Sequence, residues 1–71
     1  MPKLISQDMK LLEVYKNRYM SFGLREGQSY MNSLYDINPS LYELVSGTDS
    51  DCFYVDDKVP NFLKFLNNDN D

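Results

Sequence analysis

The polar residues best placed to do chemistry in this sequence are Arg25, Gln28 and Asn32. Their spacing of three and then four residues sets them along one stripe if the segment is helical. A guanidinium offers a fork of donors, and each amide both donates and accepts. Such a trio suits a carboxylate, a phosphate or a peptide backbone. The same trio can instead brace the fold. Arg25 would then pair with an aspartate of the 49–57 loop, while Gln28 and Asn32 would bond that loop's backbone, whose polar groups must be satisfied somewhere. The bracing role is favoured at this point, and the sequence leaves both open.

Catalysis has little to draw on. The chain has no His, the commonest general base at neutral pH, and one Cys, which therefore lacks its usual activating partner. Cys52, between Asp51 and Phe53-Tyr54, reads as a small core residue. Asp49-Ser50-Asp51 imitates the opening of a calcium loop, but the central Gly and the closing Glu are missing. Zinc lacks Cys and His ligands altogether. The expectation is a non-enzymatic protein with no cofactor and no metal.

Charge separates the remaining function classes. The net charge is −4, spread unevenly. Residues 1–30 hold five basic and three acidic groups, a balance of +2; residues 31–71 hold two and eight, a balance of −6. A balance of this size is ordinary for a small domain's solvated surface, and an acidic face that steers toward a basic partner is the sharper alternative. The turn at Asn38-Pro39 has the outline of a helix-turn-helix, but the segment after it carries Ser40, Tyr42 and Glu43 and no basic residue. It would repel phosphate, so direct nucleic-acid binding is disfavoured. The aspartates at 49, 51, 56, 57, 69 and 71 admit the converse, an acidic DNA-mimic inhibitor, although a larger charge would be expected of one. The lone cysteine points to a reducing compartment, and there is neither a membrane-length apolar run nor a signal-peptide pattern, so the cytoplasm is the expected location.

The elements that must position these residues follow from apolar spacing. A first helix is expected from residue 6 or 7 to 22, with Ser6 as its N-cap and Asp8 in its first turn. Leu11, Leu12, Tyr15, Tyr19 and Phe22 form its core face, and Gly23 ends it in the left-handed conformation. A second helix spans about 25–36, with Tyr30, Met31, Leu34 and Tyr35 inward. Gly27 in the same arc allows close approach of another element. Arg25, Gln28, Ser29, Asn32 and Asp36 face outward. Asn38 caps and Pro39 opens a short third helix over about 39–45, packing Leu41, Leu44 and Val45, and Gly47 stops it. Residues 48–58 form an acidic loop in which Cys52-Phe53-Tyr54-Val55 is a plug that has room for one extended or 3₁₀ turn. A last helix, capped by Asp56 and Asp57, runs to about residue 66 with Val59, Phe62, Leu63 and Leu66 inward. The expected fold is all-α: one domain, residues 1–66, a small bundle of four helices (two longer, two short), followed by a disordered acidic tail at 67–71.

A chain of 71 residues buries only roughly 60% of its unfolded surface, so its six Tyr and four Phe carry much of the stabilising area. Tyrosine also suits an interface, because its ring is apolar and its hydroxyl wants a polar partner. A homodimer is one way for so short a chain to hide apolar surface.

The run Arg25-x-Gly27-Gln28-x-x-x-Asn32-x-Leu34, then Pro39, Gly47-Thr48 and Asp51-Cys52-Phe53-Tyr54, resembles small uncharacterised bacteriophage and bacterial proteins. The resemblance covers roughly residues 18 to 66 and carries no activity with it. Many of those proteins have Pro at the position of Cys52, which weakens any catalytic role for the thiol. The resemblance implies an accessory protein of the bacterial cytoplasm that binds or modulates a host protein, with Arg25, Gln28, Asn32, Asp51 and Tyr54 as candidate ligand- or partner-binding positions. The alternative is a protein that binds a small anion or nucleotide through Arg25, Gln28 and Asn32.

Overall fold

The structure, a computed structural model, describes residues 6–67. Four α-helices follow one another: α1, Ser6–Ser21; α2, Glu26–Ile37; α3, Pro39–Val45; and α4, Val59–Leu66. A single 3₁₀ turn, Asp56–Lys58, leads into α4. No strand occurs among the described residues, and the architecture is the all-α small bundle expected. The acidic tail expected at 67–71 lies outside the described residues apart from Asn67, whose N–H closes α4 on the Leu63 carbonyl at 3.0 Å.

Helix α2 is the hub, packed against α1, α3, the 3₁₀ turn and α4. A helix surrounded this way needs small residues where its neighbours come closest. Six of its twelve residues are buried: Gly27, Ser29, Tyr30, Met31, Ser33 and Leu34. Ser29, expected to face outward, is fully buried, whereas Tyr35, expected in the core, is exposed. The two serines can be buried because each hydroxyl bonds back to its own helix. Ser29 donates to the Arg25 carbonyl and Ser33 to the Ser29 carbonyl, both at 2.7 Å. Among the described residues no buried side-chain nitrogen or oxygen lacks a partner.

On α1 the expected core face is only partly right. Leu12 is buried, but Leu11 and Phe22 are exposed and Tyr15 and Tyr19 are half-buried. The inward line runs through Met9, Leu12 and Lys16. Lys16 passes unnoticed in an apolar pattern because it is charged, yet its side chain is largely covered by the interface. Its ammonium sits 5.2 Å from the Tyr30 ring centroid and 3.5 Å from Glu13 Oε1. Tyr30 donates its hydroxyl to Glu13 Oε2 at 2.5 Å, so ring, carboxylate and ammonium together latch α1 to α2. Ser6, expected as the N-cap, already lies within the helix. The other end is as expected: Gly23 adopts φ +99°, its N–H bonds Met20 and that of Leu24 bonds Tyr19, the Schellman pattern.

Asn38 ends one helix and begins the next. Its N–H donates to the Leu34 carbonyl at 2.7 Å, and its side-chain oxygen accepts the Leu41 N–H at 3.1 Å. Leu41 and Val45 of α3 are buried, but Leu44 is exposed and does not pack as expected. The plug of residues 52–55 is smaller than expected. Cys52 is fully buried and Phe53 packs partly on the core, while Tyr54 and Val55 are exposed. Val59, Phe62 and Leu66 of α4 close the core from below, with the Tyr30 and Phe62 rings 5.5 Å apart. Asp56 and Asp57 do not cap α4 as expected: Lys58 holds its N-cap position without a side-chain bond.

Gly27 shows how tightly the loop is seated. A Cβ there would lie 2.0 Å from the Cys52 carbonyl oxygen, a contact that only a backbone shift can relieve. Gly27→Ala is therefore expected to destabilise the protein by about 2 kcal/mol in urea unfolding, even though alanine is the better helix former. Unchanged stability would mean that the loop does not rest on α2.

Candidate functional site

The stripe Arg25–Gln28–Asn32 does not act as one group. Arg25 occupies the N-cap position of α2 in an extended conformation and its side chain reaches over the loop. Its Nη1 bonds Asp56 Oδ1 at 3.1 Å and its Nη2 bonds the Phe53 carbonyl at 2.7 Å. The same Asp56 oxygen accepts the Gly27 N–H at 3.0 Å. Asp56 thus supplies, from 29 residues away, the N-terminal cap that Arg25 cannot provide, and sets a carboxylate at the positive end of the helix dipole. The ion pair itself is half exposed and adds little; the hydrogen bonds to backbone carry the contact. The side chains of Gln28 and Asn32 make no hydrogen bond among the described residues, so the loop's backbone is not what they serve.

Asp51 is likewise internal to the loop. Its two carboxylate oxygens accept the Gly47 N–H at 2.8 Å and the Phe53 N–H at 2.9 Å. With Asp51 and Asp56 committed to backbone, the loop's acidic array is partly structural. Tyr54 is exposed, its ring resting edge-on against Phe53 at 4.8 Å.

The cavities lie elsewhere, on the face shared by α1, α2 and the start of α3. One hollow of about 340 Å³ is lined by Tyr15, Arg18, Tyr19, Phe22 and Asp36. A second, about 260 Å³, is lined by Tyr19, Asn32, Tyr35, Asp36 and Tyr42. The divider between them is a hydrogen bond, Tyr19 hydroxyl to Asp36 Oδ2 at 2.6 Å. That donation, with some burial and the nearby negative charge, raises the Tyr19 pKa above its ordinary value, so the hydroxyl stays protonated at neutral pH. Tyr35 meets Tyr42 edge-to-face at 5.2 Å, and the Arg18 guanidinium lies 5.6 Å from the Tyr15 ring. Five of the ten aromatic residues therefore line these two adjoining hollows, together a groove divided at Tyr19 and Asp36.

Of the five positions singled out from sequence, only Asn32 reaches this groove. Tyr15, Arg18, Tyr19, Phe22, Tyr35, Asp36 and Tyr42 were missed, because aromatics at helical spacing read as core. The available signal was the surplus of tyrosine, more rings than so short a core can take in.

Chemically, the groove offers flat apolar walls with hydroxyl, amide, guanidinium and carboxylate groups at their edges. Cys52 is remote from that surface: burial pushes its pKa up to about 12, so it is a neutral thiol. Among the described residues no cluster of three or more His, Cys, Asp or Glu side chains could hold a metal ion, and no helix is long and apolar enough to cross a membrane. No family model, curated protein or solved structure matches the chain.

Removing the distant cap should loosen the loop. Asp56→Ala is expected to cost about 1–2 kcal/mol in urea unfolding and to speed labelling of Cys52 by a thiol reagent in the native state; unchanged labelling would show that Asp56 does not hold the loop down. The thiol also sets a pH dependence. Its folded pKa lies above its ordinary value of about 9, so the stability it contributes is complete below that pH and falls as pH rises toward 12. Unfolding measured from pH 8 to 10 should show stability declining more steeply in the wild type than in Cys52→Ser, because the tyrosines, including the raised Tyr19 and Tyr30, contribute equally to both profiles. Parallel profiles would contradict this.

Proposed function

We propose that this chain is a small non-enzymatic binding protein whose aromatic groove receives a surface of another protein. The observation that carries the reading is the grouping of Tyr15, Tyr19, Phe22, Tyr35 and Tyr42 around two adjoining hollows, with Arg18, Asn32 and Asp36 at their edges. Tyr and Arg are among the residues most enriched at positions that dominate protein–protein affinity, and the Tyr35 and Tyr42 rings, already packed edge-to-face, lose little freedom on binding. The resemblance to small bacteriophage and bacterial proteins supports a host protein of the bacterial cytoplasm as the partner. A small-anion or nucleotide site built on Arg25, Gln28 and Asn32 is less favoured, because the Arg25 guanidinium is already engaged by Asp56 and the Phe53 carbonyl.

A photo-crosslinking residue placed at Tyr35 should capture a discrete heterologous protein from bacterial lysate, while the same residue at exposed Asp57 in the loop should not. Tyr35→Ala should then weaken binding of the captured protein by about tenfold or more while changing stability by less than about 0.5 kcal/mol. Equal adducts from both positions, or none from Tyr35, would contradict the proposal.

A further inference from the structure

The hollow where α1, α2 and α3 meet has a composition that selects its occupant by charge. Its lining is Tyr19, Asn32, Tyr35, Asp36 and Tyr42: three aromatic rings, one amide and one carboxylate. No basic side chain lines it, and Asp36 makes no ion pair among the described residues. The face of an aromatic ring is the negative side of its quadrupole, so rings and carboxylate attract the same kind of guest. Asp36 also stands in the last turn of α2. A cation is the usual complement of the helix dipole there, and this helix has no basic residue in that turn.

We infer that this hollow takes the guanidinium of one arginine side chain of the docked protein, an assignment that rests on the groove being the docking surface. At about 260 Å³ the hollow is smaller than the roughly 300–1,000 Å³ of a pocket for a whole small molecule, and it suits a single side chain. Two features favour arginine over lysine. A flat guanidinium stacks on a ring face and keeps its N–H groups free at the edge, whereas an ammonium is a compact, strongly hydrated point charge. The acceptors at that edge are also split. Tyr19 donates to Asp36 Oδ2 at 2.6 Å, and Oδ1 has no partner among the described residues. The Asn32 carboxamide, one turn back on α2, is likewise unbonded there. Side chains four residues apart on a helix have β-carbons roughly 5–6 Å from each other, a span suited to a fork of five donors rather than to one ammonium. Arg18 does not fill the role itself. It lines the neighbouring hollow, its guanidinium 5.6 Å from the Tyr15 ring.

The test titrates the full chain with Nα-acetyl-arginine N-methylamide, followed by NMR at low ionic strength, where screening is least. Saturable shifts are expected at the amides of Tyr35, Asp36 and Tyr42 and at the Asn32 side chain. The Kd for so small a probe should be on the order of 1–10 mM. The citrulline derivative, similar in shape without the charge, should bind about tenfold more weakly or worse, and the lysine derivative about threefold more weakly. Asp36→Asn keeps an acceptor for the Tyr19 hydroxyl and should weaken the arginine probe by about fivefold or more. Asp57→Asn, in the exposed part of the loop, should leave it unchanged.

Citrulline binding as well as arginine, lysine binding equally or better, or an Asp36→Asn protein that binds normally would each overturn the inference. So would shifts confined to residues 48–58, or none that saturate by about 50 mM. The two readings of the groove fail separately. A protein captured through Tyr35 with no arginine binding leaves the docking surface and removes the arginine site, whereas arginine binding without capture keeps the site and removes the docking surface.

Discussion

A carboxylate arriving at the amino end of a helix from 29 residues further along the chain closes this fold. The first N–H groups of any α-helix lack intrahelical partners, and most helices borrow one from a serine, threonine or aspartate immediately before them. Arg25 stands at that position on α2 and cannot accept such a bond. Asp56 supplies the acceptor instead, and this is possible because Gly27 leaves room for the Cys52 carbonyl to lie against the helix. The glycine costs helix propensity, up to ~1 kcal/mol relative to alanine, and in exchange permits a contact that seats the whole segment between α3 and α4. Cys52 goes under the loop, its Sγ 3.5 Å from the Gly27 carbonyl, and α4 follows into the core.

Much of this was written locally in the chain, and what was not shares one cause. Helix boundaries were legible to within one or two residues, because Gly23, Asn38-Pro39 and Gly47 act on the backbone beside them and need no tertiary partner. Burial was less legible. Lys16, Ser29 and Ser33 lie in or near the core, yet each looks polar, and each is tolerated for a reason that pattern counting ignores: a long apolar stem, or a hydroxyl returned to its own helix. Conversely Leu11, Phe22 and Tyr35 look like core and are exposed. Where a helix has two apolar stripes, periodicity says that both exist but not which one the neighbouring helix takes.

The candidate site divides along the same line. The polar stripe through Arg25, Gln28 and Asn32 is a fact of helical spacing, but its role depended on which aspartate came back to meet it, and that is a matter of tertiary closure. Once Asp56 does so, Arg25 belongs to the scaffold, and Asn32 is left on the rim of a groove otherwise built from tyrosines. The acidic loop, read as a possible array of charge, spends Asp51 and Asp56 on backbone N–H groups. The groove was hidden in plain composition. Six tyrosines in so short a chain exceed what its core uses: only Tyr30 is buried.

The account therefore stands on the Asp56–Gly27 contact, and amide hydrogen exchange followed by NMR measures it most directly. A first-turn helix amide with no partner exchanges freely, whereas one held by a seated loop exchanges only when that loop lifts. The prediction is a Gly27 amide protected to nearly the same degree as that of Leu34 in the middle of α2. A Gly27 amide exchanging at the rate of an unprotected glycine, with Leu34 still protected, would show that the loop stands off the helix and that Arg25 is free to bind something else.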